Sequence, residues 1–193
     1  MPIINKIFNE DCLEGMKKIP DGSIDMVLCD LPYGTTDNYW DKRIPFEPLW
    51  AQYKRITKKN AAIVLFSQMP FGSDLIQSNR KMFRYEWIWE KNIGVGFFNA
   101  KKMPLRVHEN ILVFYEKLPA YNPQKWQSAP YYRGFKKINN NLREKNKIYG
   151  QGKGAIIESV SGKRYPLDVI KFKTNRKWSQ QHHPTQKPVD LLE

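Results

Sequence analysis

Along the front of the chain, apolar positions switch repeatedly between strand-like runs and helical spacing. Ile3-Ile4-Asn5-Lys6-Ile7-Phe8 is apolar and β-prone, and predicts a strand ending at Asn9-Glu10-Asp11. Leu13, Met16 and Ile19 then recur at helical spacing, which predicts a helix over Cys12–Ile19 with Asp11 available as its N-cap. The turn Pro20-Asp21-Gly22-Ser23 leads into Ile24–Cys29, a nearly continuous apolar run of the kind found in buried parallel strands. Leu49, Trp50, Tyr53 and Ile56 predict a helix over Phe46–Ile56, and Ala61–Phe66 predicts a third strand that Ser67-Gln68-Met69-Pro70 ends. A helix over Phe71–Asn79, a strand over Tyr85–Trp89, a loop with Gly94 and Gly96, and a strand over Asn110–Tyr115 complete the series. Strands alternating with helices predict an α/β fold with a mostly parallel sheet.

Composition narrows the function. A chain of 193 residues with 41% apolar and 13% aromatic content can bury a core and suits one domain, with room for an insertion. The net charge is +13 and sits unevenly. Residues 117–180 carry 15 basic and 3 acidic side chains, against 16 and 14 in residues 1–116 and 1 and 2 in residues 181–193. The basic stretch is also rich in Asn, Gln, Tyr and Gly. It includes Tyr131-Tyr132-Arg133-Gly134, the run Lys136–Lys147 and the tail Lys171–Trp178. Such a stretch fits either a solvated insertion or a surface that meets a phosphate backbone. The interleaved aromatics, which can stack on bases, favour the second. The expected partner is polyanionic, most often a nucleic acid. No apolar run approaches the roughly 20 residues that span a bilayer, and no secretory leader is visible at the N-terminus. Cys12 and Cys29 are too few for a disulfide framework, and are expected as two buried thiols in a reducing cytoplasm.

In open α/β sheets, ligands bind beyond the carboxyl ends of strands. Asp30-Leu31-Pro32-Tyr33 stands at such an end and offers a carboxylate, a backbone carbonyl in a proline-stiffened turn, and an aromatic ring. Alone, this tetrapeptide also fits an ordinary strand-ending turn. It resembles the Asp-Pro-Pro-Tyr motif of the DNA amino-methyltransferases, which methylate adenine N6 or cytosine N4, with Leu31 in place of the first Pro. Three further segments resemble the permuted β-class of that family. They are Asn9–Glu14 with Asp21–Asp30, then Trp89–Asn92 with Gly96–Lys102 and His108–Phe114, and finally His183-Pro184-Thr185-Gln186-Lys187-Pro188.

The resemblance implies a Rossmann-like fold that uses S-adenosylmethionine and takes double-stranded DNA as its partner. It divides the chain into a catalytic core at 1–116, a target-recognition insertion at 117–180 and the start of a donor-binding segment at 181–193. Asp30 and the Leu31 carbonyl would accept the two N–H groups of the target amine, with Pro32 stiffening the turn. Tyr33 would stack on a base flipped out of the duplex. Asp11, Asp30, His183, Thr185, Gln186 and Lys187 would face the donor, Asp11 serving equally well as a helix cap. Lys187 suits a carboxylate. His182 and His183 lack a Cys or acidic partner at ligand spacing, so no metal is expected.

The Gly-rich donor loop that the family carries after the Lys187 helix is not found in these 193 residues. The chain is therefore expected to be a C-terminally truncated part of an enzyme. Self-association or a complementing C-terminal fragment would complete it. Adenine N6 is the expected target, because Asp more often opens the motif of adenine enzymes. A cytosine-N4 enzyme and an inactive DNA-binding remnant are the alternatives. A protein-amide methyltransferase is disfavoured by Asp30, since that family carries Asn there.

Overall fold

A computed structural model of the chain describes residues 5–132, 158–159, 161–174, 183 and 185–192, with the side chains of 131–132 and 158–159 excepted. The first of two compact units comprises Met1–Ala120 and Asp168–Glu193. Its elements are α1 (Cys12–Lys17), β1 (Ile24–Asp30), α2 (Phe46–Ile56), β2 (Thr57–Ser67), α3 (Phe71–Ser78), β3 (Phe83–Val95) and β4 (Arg106–Phe114).

The second unit, Tyr121–Leu167, contains β5 (Trp126–Gln127), β6 (Tyr131–Tyr132), β7 (Glu158–Ser159) and β8 (Lys163–Arg164). They pair antiparallel as β5 with β8 and β6 with β7. This unit falls inside the basic stretch 117–180. The later part of that stretch, with β9 (Val169–Lys171), belongs to the first unit, as does the short helix α4 (Val189–Leu192). The run Lys136–Lys147, the tail Asn175–Trp178, His182 and Pro184 lie outside the described residues.

The five-stranded sheet of the first unit has the order β1-β2-β4-β3-β9. β1 pairs parallel with β2, β3 pairs parallel with β9, and β4 runs antiparallel to both β2 and β3. Four strands therefore share one direction and β4 opposes them. Strand alternation then builds two cores. Ile63 and Leu65 of β2, with Leu112 and Phe114 of β4, face α1, α2 and α3 through Met16, Leu49, Trp50, Tyr53, Phe71 and Leu75. Val64 and Phe66, with Ile111 and Val113, face the other way and pack with Trp89, Ile170 and Leu191 of α4. Both faces of β2 and β4 are thus covered, which explains their unbroken apolar runs.

Helix α2 spans the predicted residues. Glu47 in its first turn and Lys54 and Arg55 in its last complement the helix dipole. Arg55 also donates to the carbonyls of Met16 (2.7 Å) and Ile19 (2.8 Å), satisfying the end of α1. The Trp50 indole N–H donates to Ser78 Oγ (2.8 Å), tying α2 to α3.

Four expectations change. Asn5–Phe8 is not a strand, and Ile3–Ile4 lies outside the described residues. Ile7 is fully exposed, and β-propensity without a ladder partner or a buried face does not hold a strand. β1 is an edge of the described sheet rather than a strand buried on both faces. Val27 and Cys29 face the core, while Met26 and Leu28 on the opposite face are exposed. Cys12 is exposed: it stands at the first position of α1, one turn before Met16, the helix's buried residue. β3 and β4 run well beyond their apolar runs, since they pair with each other out to Val95↔Arg106. Gly94 lies inside that pairing because Leu105 crosses it: a Cβ there would sit 2.8 Å from Leu105 Cβ. Among the described residues, no helix is long and apolar enough to cross a membrane.

Candidate active site

The sheet's register gathers one set of polar groups at one end. Asp30 ends β1 opposite Phe66, and Gln68 follows β2. Because β4 is antiparallel, its early residue Glu109 pairs with Trp89 near the same end. These groups line a cleft of about 1180 Å³, together with Leu31, Pro32, Tyr33, Trp40, Lys91, His183, Thr185, Gln186 and Lys187. All four residues of the Asp30–Tyr33 segment and the four described residues of the His183–Lys187 segment thus meet in one cleft, although His183 lies 150 positions after Tyr33. Asp11 is not among the lining residues. Its carboxylate caps α1, accepting from the N–H groups of Leu13 (2.8 Å) and Glu14 (3.2 Å).

The floor of the cleft is an alternating chain of charges. The Lys187 ammonium lies 2.9 Å from Asp30 Oδ2 and 3.2 Å from Glu109 Oε2. The second contact is between charges without the alignment of a hydrogen bond. Glu109 Oε1 pairs in turn with the Lys91 ammonium. The side chains of Lys91, Lys187 and Glu109 are 8%, 10% and 11% exposed, whereas Asp30 is 36% exposed. Three of the four charges are therefore withdrawn from water, and each depends on its neighbours. Lys187 also sits 5.3 Å from the Phe66 ring centroid and 5.7 Å from that of Tyr33, and Lys91 lies 4.9 Å from that of Trp89. Neither the pairing of Lys187 with Asp30 and Glu109 nor the place of Lys91 is expected from the sequence. The available signal is a lone charge beside an apolar run: Glu109 directly precedes Asn110–Phe114, and Lys91 follows Trp89 by two residues.

Tyr33 is set from two sides. Its ring stacks on Phe71, with centroids 5.1 Å apart and an interplanar angle of 27°, and its hydroxyl donates to Asp30 Oδ1 (3.0 Å). Burial, and then the negative charges of Asp30 and Glu109, push the hydroxyl far above the usual tyrosine range. It therefore stays protonated and remains a donor to Asp30. Leu31 is 5% exposed; it belongs to the core and also lines the cleft. Its missing proline ring is replaced by a hydrophobic anchor. At the rim, Trp40 meets the His183 ring edge-on at 5.1 Å, and the Thr185 hydroxyl lies 3.0 Å from His183 Nδ1.

The turn behind Tyr33 is held by Asp41, a buried carboxylate with no motif in the sequence to mark it. It accepts from the N–H groups of Gly34 (2.8 Å), Thr35 (2.9 Å) and Thr36 (2.8 Å) and from the Thr36 hydroxyl (2.8 Å). Burial alone pushes this carboxyl up, but the four hydrogen bonds outweigh it and hold the group below its ordinary value of 3.8. A lowered folded value stabilises the protein above the unfolded value, and that contribution fades as pH falls through the folded value. Asp41→Asn is expected to lower unfolding free energy by about 1–3 kcal/mol near neutral pH. The gap from the natural protein should close as pH drops below 3.8. Urea unfolding at a neutral and an acid pH tests both parts, and a gap that does not change with pH would refute the assignment.

The comparisons with known proteins give the family and the fold. Residues 24–193 match the family model described as DNA methylase, which covers N6 and N4 methyltransferases, and the chain belongs to that family. It is 29% identical to the type II methyltransferase M.BglII of Bacillus subtilis over 98% of its own length. It spans 55% of that relative's length. Among solved structures, it is similar to the M1.HpyAVI–SAM complex (TM-score 0.52, 17% identity, 96% of this chain and 72% of that one). It is also similar to the cytosine-N4-specific PvuII DNA methyltransferase (TM-score 0.52, 12% identity, 94% of this chain and 65% of that one). At these identities, the two structures establish a shared fold. The expected α/β methyltransferase architecture is therefore present.

Proposed function

We propose that this chain carries the catalytic segment and DNA-binding region of a site-specific DNA methyltransferase acting on an exocyclic base amine, adenine N6 in particular. The observation that carries the reading is the placement of Asp30 in the cleft, anchored by Lys187 and Tyr33 with part of its carboxylate open to solvent. An exocyclic amine is a poor nucleophile because its lone pair is delocalised into the ring. The Asp30 carboxylate and the Leu31 carbonyl would accept its two N–H groups and draw the nitrogen toward a tetrahedral shape. Tyr33 presents an aromatic surface for the extrahelical base. Such fixed acceptors act mainly by positioning and electrostatic preorganisation.

The methyl donor of this reading is S-adenosylmethionine, which supplies a methyl group on a positively charged sulfur. The cleft suits its mixed chemistry: the Trp40 ring, the Thr185 hydroxyl, the Gln186 amide, and ionised groups of both signs line it. His183, Thr185, Gln186 and Lys187 would meet the donor's methionine end. Lys187 would do so while still paired to Asp30 and Glu109. Incubation of DNA with labelled donor, followed by nucleoside analysis, tests the function. N6-methyladenine supports the full reading, N4-methylcytosine overturns the adenine assignment, and no methylated base overturns the activity.

DNA binding is assigned to the basic stretch. In the second unit, Lys125 lies 4.2 Å from the Tyr165 ring centroid, and Trp126 and Tyr165 are both exposed, so cations and aromatic faces share one surface. Duplex affinity is expected to fall steeply with salt. Replacing the five cations between Lys136 and Lys147 with Gln should flatten the log–log slope by roughly 0.9 for each phosphate that is no longer neutralised. A slope unchanged by the substitutions, measured by fluorescence anisotropy across salt concentrations, would place DNA binding elsewhere.

A further inference from the structure

β3 and β4 extend past the end of β2 as a two-stranded arm, and the turn that closes it starts at Gly96, where φ is +90°. The turn holds Phe97 at 80% exposure and Phe98 at 104%, with Met103, Leu105 and Val107 also exposed beside them. Isolated surface apolar residues are ordinary, but two adjacent, fully exposed phenylalanines flanked by further apolar side chains mark an interaction surface. The same segment, Phe97–Val107, carries Lys101, Lys102 and Arg106 and no acidic residue. None of these three cations makes an ion pair among the described residues. The arm is also tied to the catalytic cleft, because Ile93, Val95 and Arg106 in its two strands line the wall facing the Asp30 site.

Together these features describe a partner that is polyanionic, offers flat faces for aromatic stacking, and is held directly beside Asp30. Duplex DNA has that chemistry. A base that leaves the stack opens a gap in the duplex, and apolar side chains are the groups that proteins insert between base steps. We propose that the Phe97–Phe98 turn is a wedge that enters the duplex beside the cleft and fills the gap left by the extruded base. Lys101, Lys102 and Arg106 hold the flanking phosphates. This inference rests on the methyltransferase reading above.

The test uses the full chain and two short duplexes, one fully matched and one with a single abasic position that provides the gap in advance. The natural protein is expected to bind the abasic duplex about fivefold or more tightly than the matched one, as stacking on the exposed neighbouring bases requires. Phe97→Ser/Phe98→Ser should lose that preference while keeping the salt slope on matched DNA. Both rings lie outside the core, and circular dichroism checks that the variant is folded. Lys101→Gln/Lys102→Gln should do the converse, keeping the preference and lowering the salt slope by about 2. Binding of matched DNA with no abasic preference, or a preference that persists in the Phe variant, overturns the wedge alone. Absence of binding to either duplex overturns the DNA reading and the wedge with it. Sedimentation of the natural chain and the Phe variant adds one more outcome: a dimer that becomes a monomer, with the DNA preference unchanged, makes the turn an interface between copies and overturns the proposal.

Discussion

Asp30→Ala is expected to lower methyl transfer by about 10²–10³-fold, the loss typical of removing one preorganised polar group from a reacting centre. The Asp30 carboxylate lines the cleft, with its Oδ2 beside the Lys187 ammonium and its Oδ1 accepting from the Tyr33 hydroxyl. DNA affinity and its salt dependence should stay close to those of the natural protein, because the basic stretch is untouched. Asp30→Asn is the sharper variant. Its amide keeps the size of the group and one oxygen acceptor, but loses the charge that balances Lys187. Substantial transfer by Asp30→Asn would mean that position matters more than charge. Full transfer by Asp30→Ala, measured with labelled donor in the intact protein, would remove Asp30 from the reaction.

The second large effect concerns stability. Glu109→Leu is expected to lower unfolding free energy by about 3–5 kcal/mol, because it leaves the Lys91 ammonium buried without its carboxylate. Lys187 suffers less, since it keeps Asp30. Adding Lys91→Met to Glu109→Leu should recover most of the loss, as replacing both members of a buried pair with apolar groups is far less costly than removing one. Urea unfolding of the two single variants and the double variant forms the cycle. Losses that simply add would show that the two groups do not depend on each other. The same cycle bears on function. Glu109 touches Lys187, and Lys187 touches Asp30, so Glu109 acts on the reaction only by positioning, and Glu109→Gln should lower transfer less than Asp30→Ala does.

Where the local pattern is strong, the elements of this protein are legible without the fold. Phe46–Ile56 forms α2 because its apolar residues recur every three or four positions, and 61–66 lies in β2 because a short continuous apolar run suits a strand covered on both faces. Asp30-Leu31-Pro32-Tyr33 stands out as a candidate site because it follows such a run and resembles the family's Asp-Pro-Pro-Tyr motif. The departures come where partners decide. Ile3–Phe8 has strand propensity, yet Asn5–Phe8 has no ladder to join. Gly94 suggests a loop, but Leu105, the residue just before β4, packs against it and the pairing continues.

The sequence by itself determined the residue types of the chemistry: the Asp30–Tyr33 segment, the cations of residues 117–180, and the His183–Lys187 segment with its lysine. The two segments stand out by their resemblance to the family's motifs and the cations by composition, and both are read locally along the chain. Only the tertiary structure decided what Lys187 holds. The antiparallel course of β4 brings Glu109 to the carboxyl end of β1, and α4 packs Leu191 against the face of the sheet that carries Phe66 and Trp89. Contacts between residues so far apart in the chain depend on strand order and direction, and no local pattern encodes those. The charge chain from Lys91 through Glu109 and Lys187 to Asp30 is therefore a property of the folded sheet.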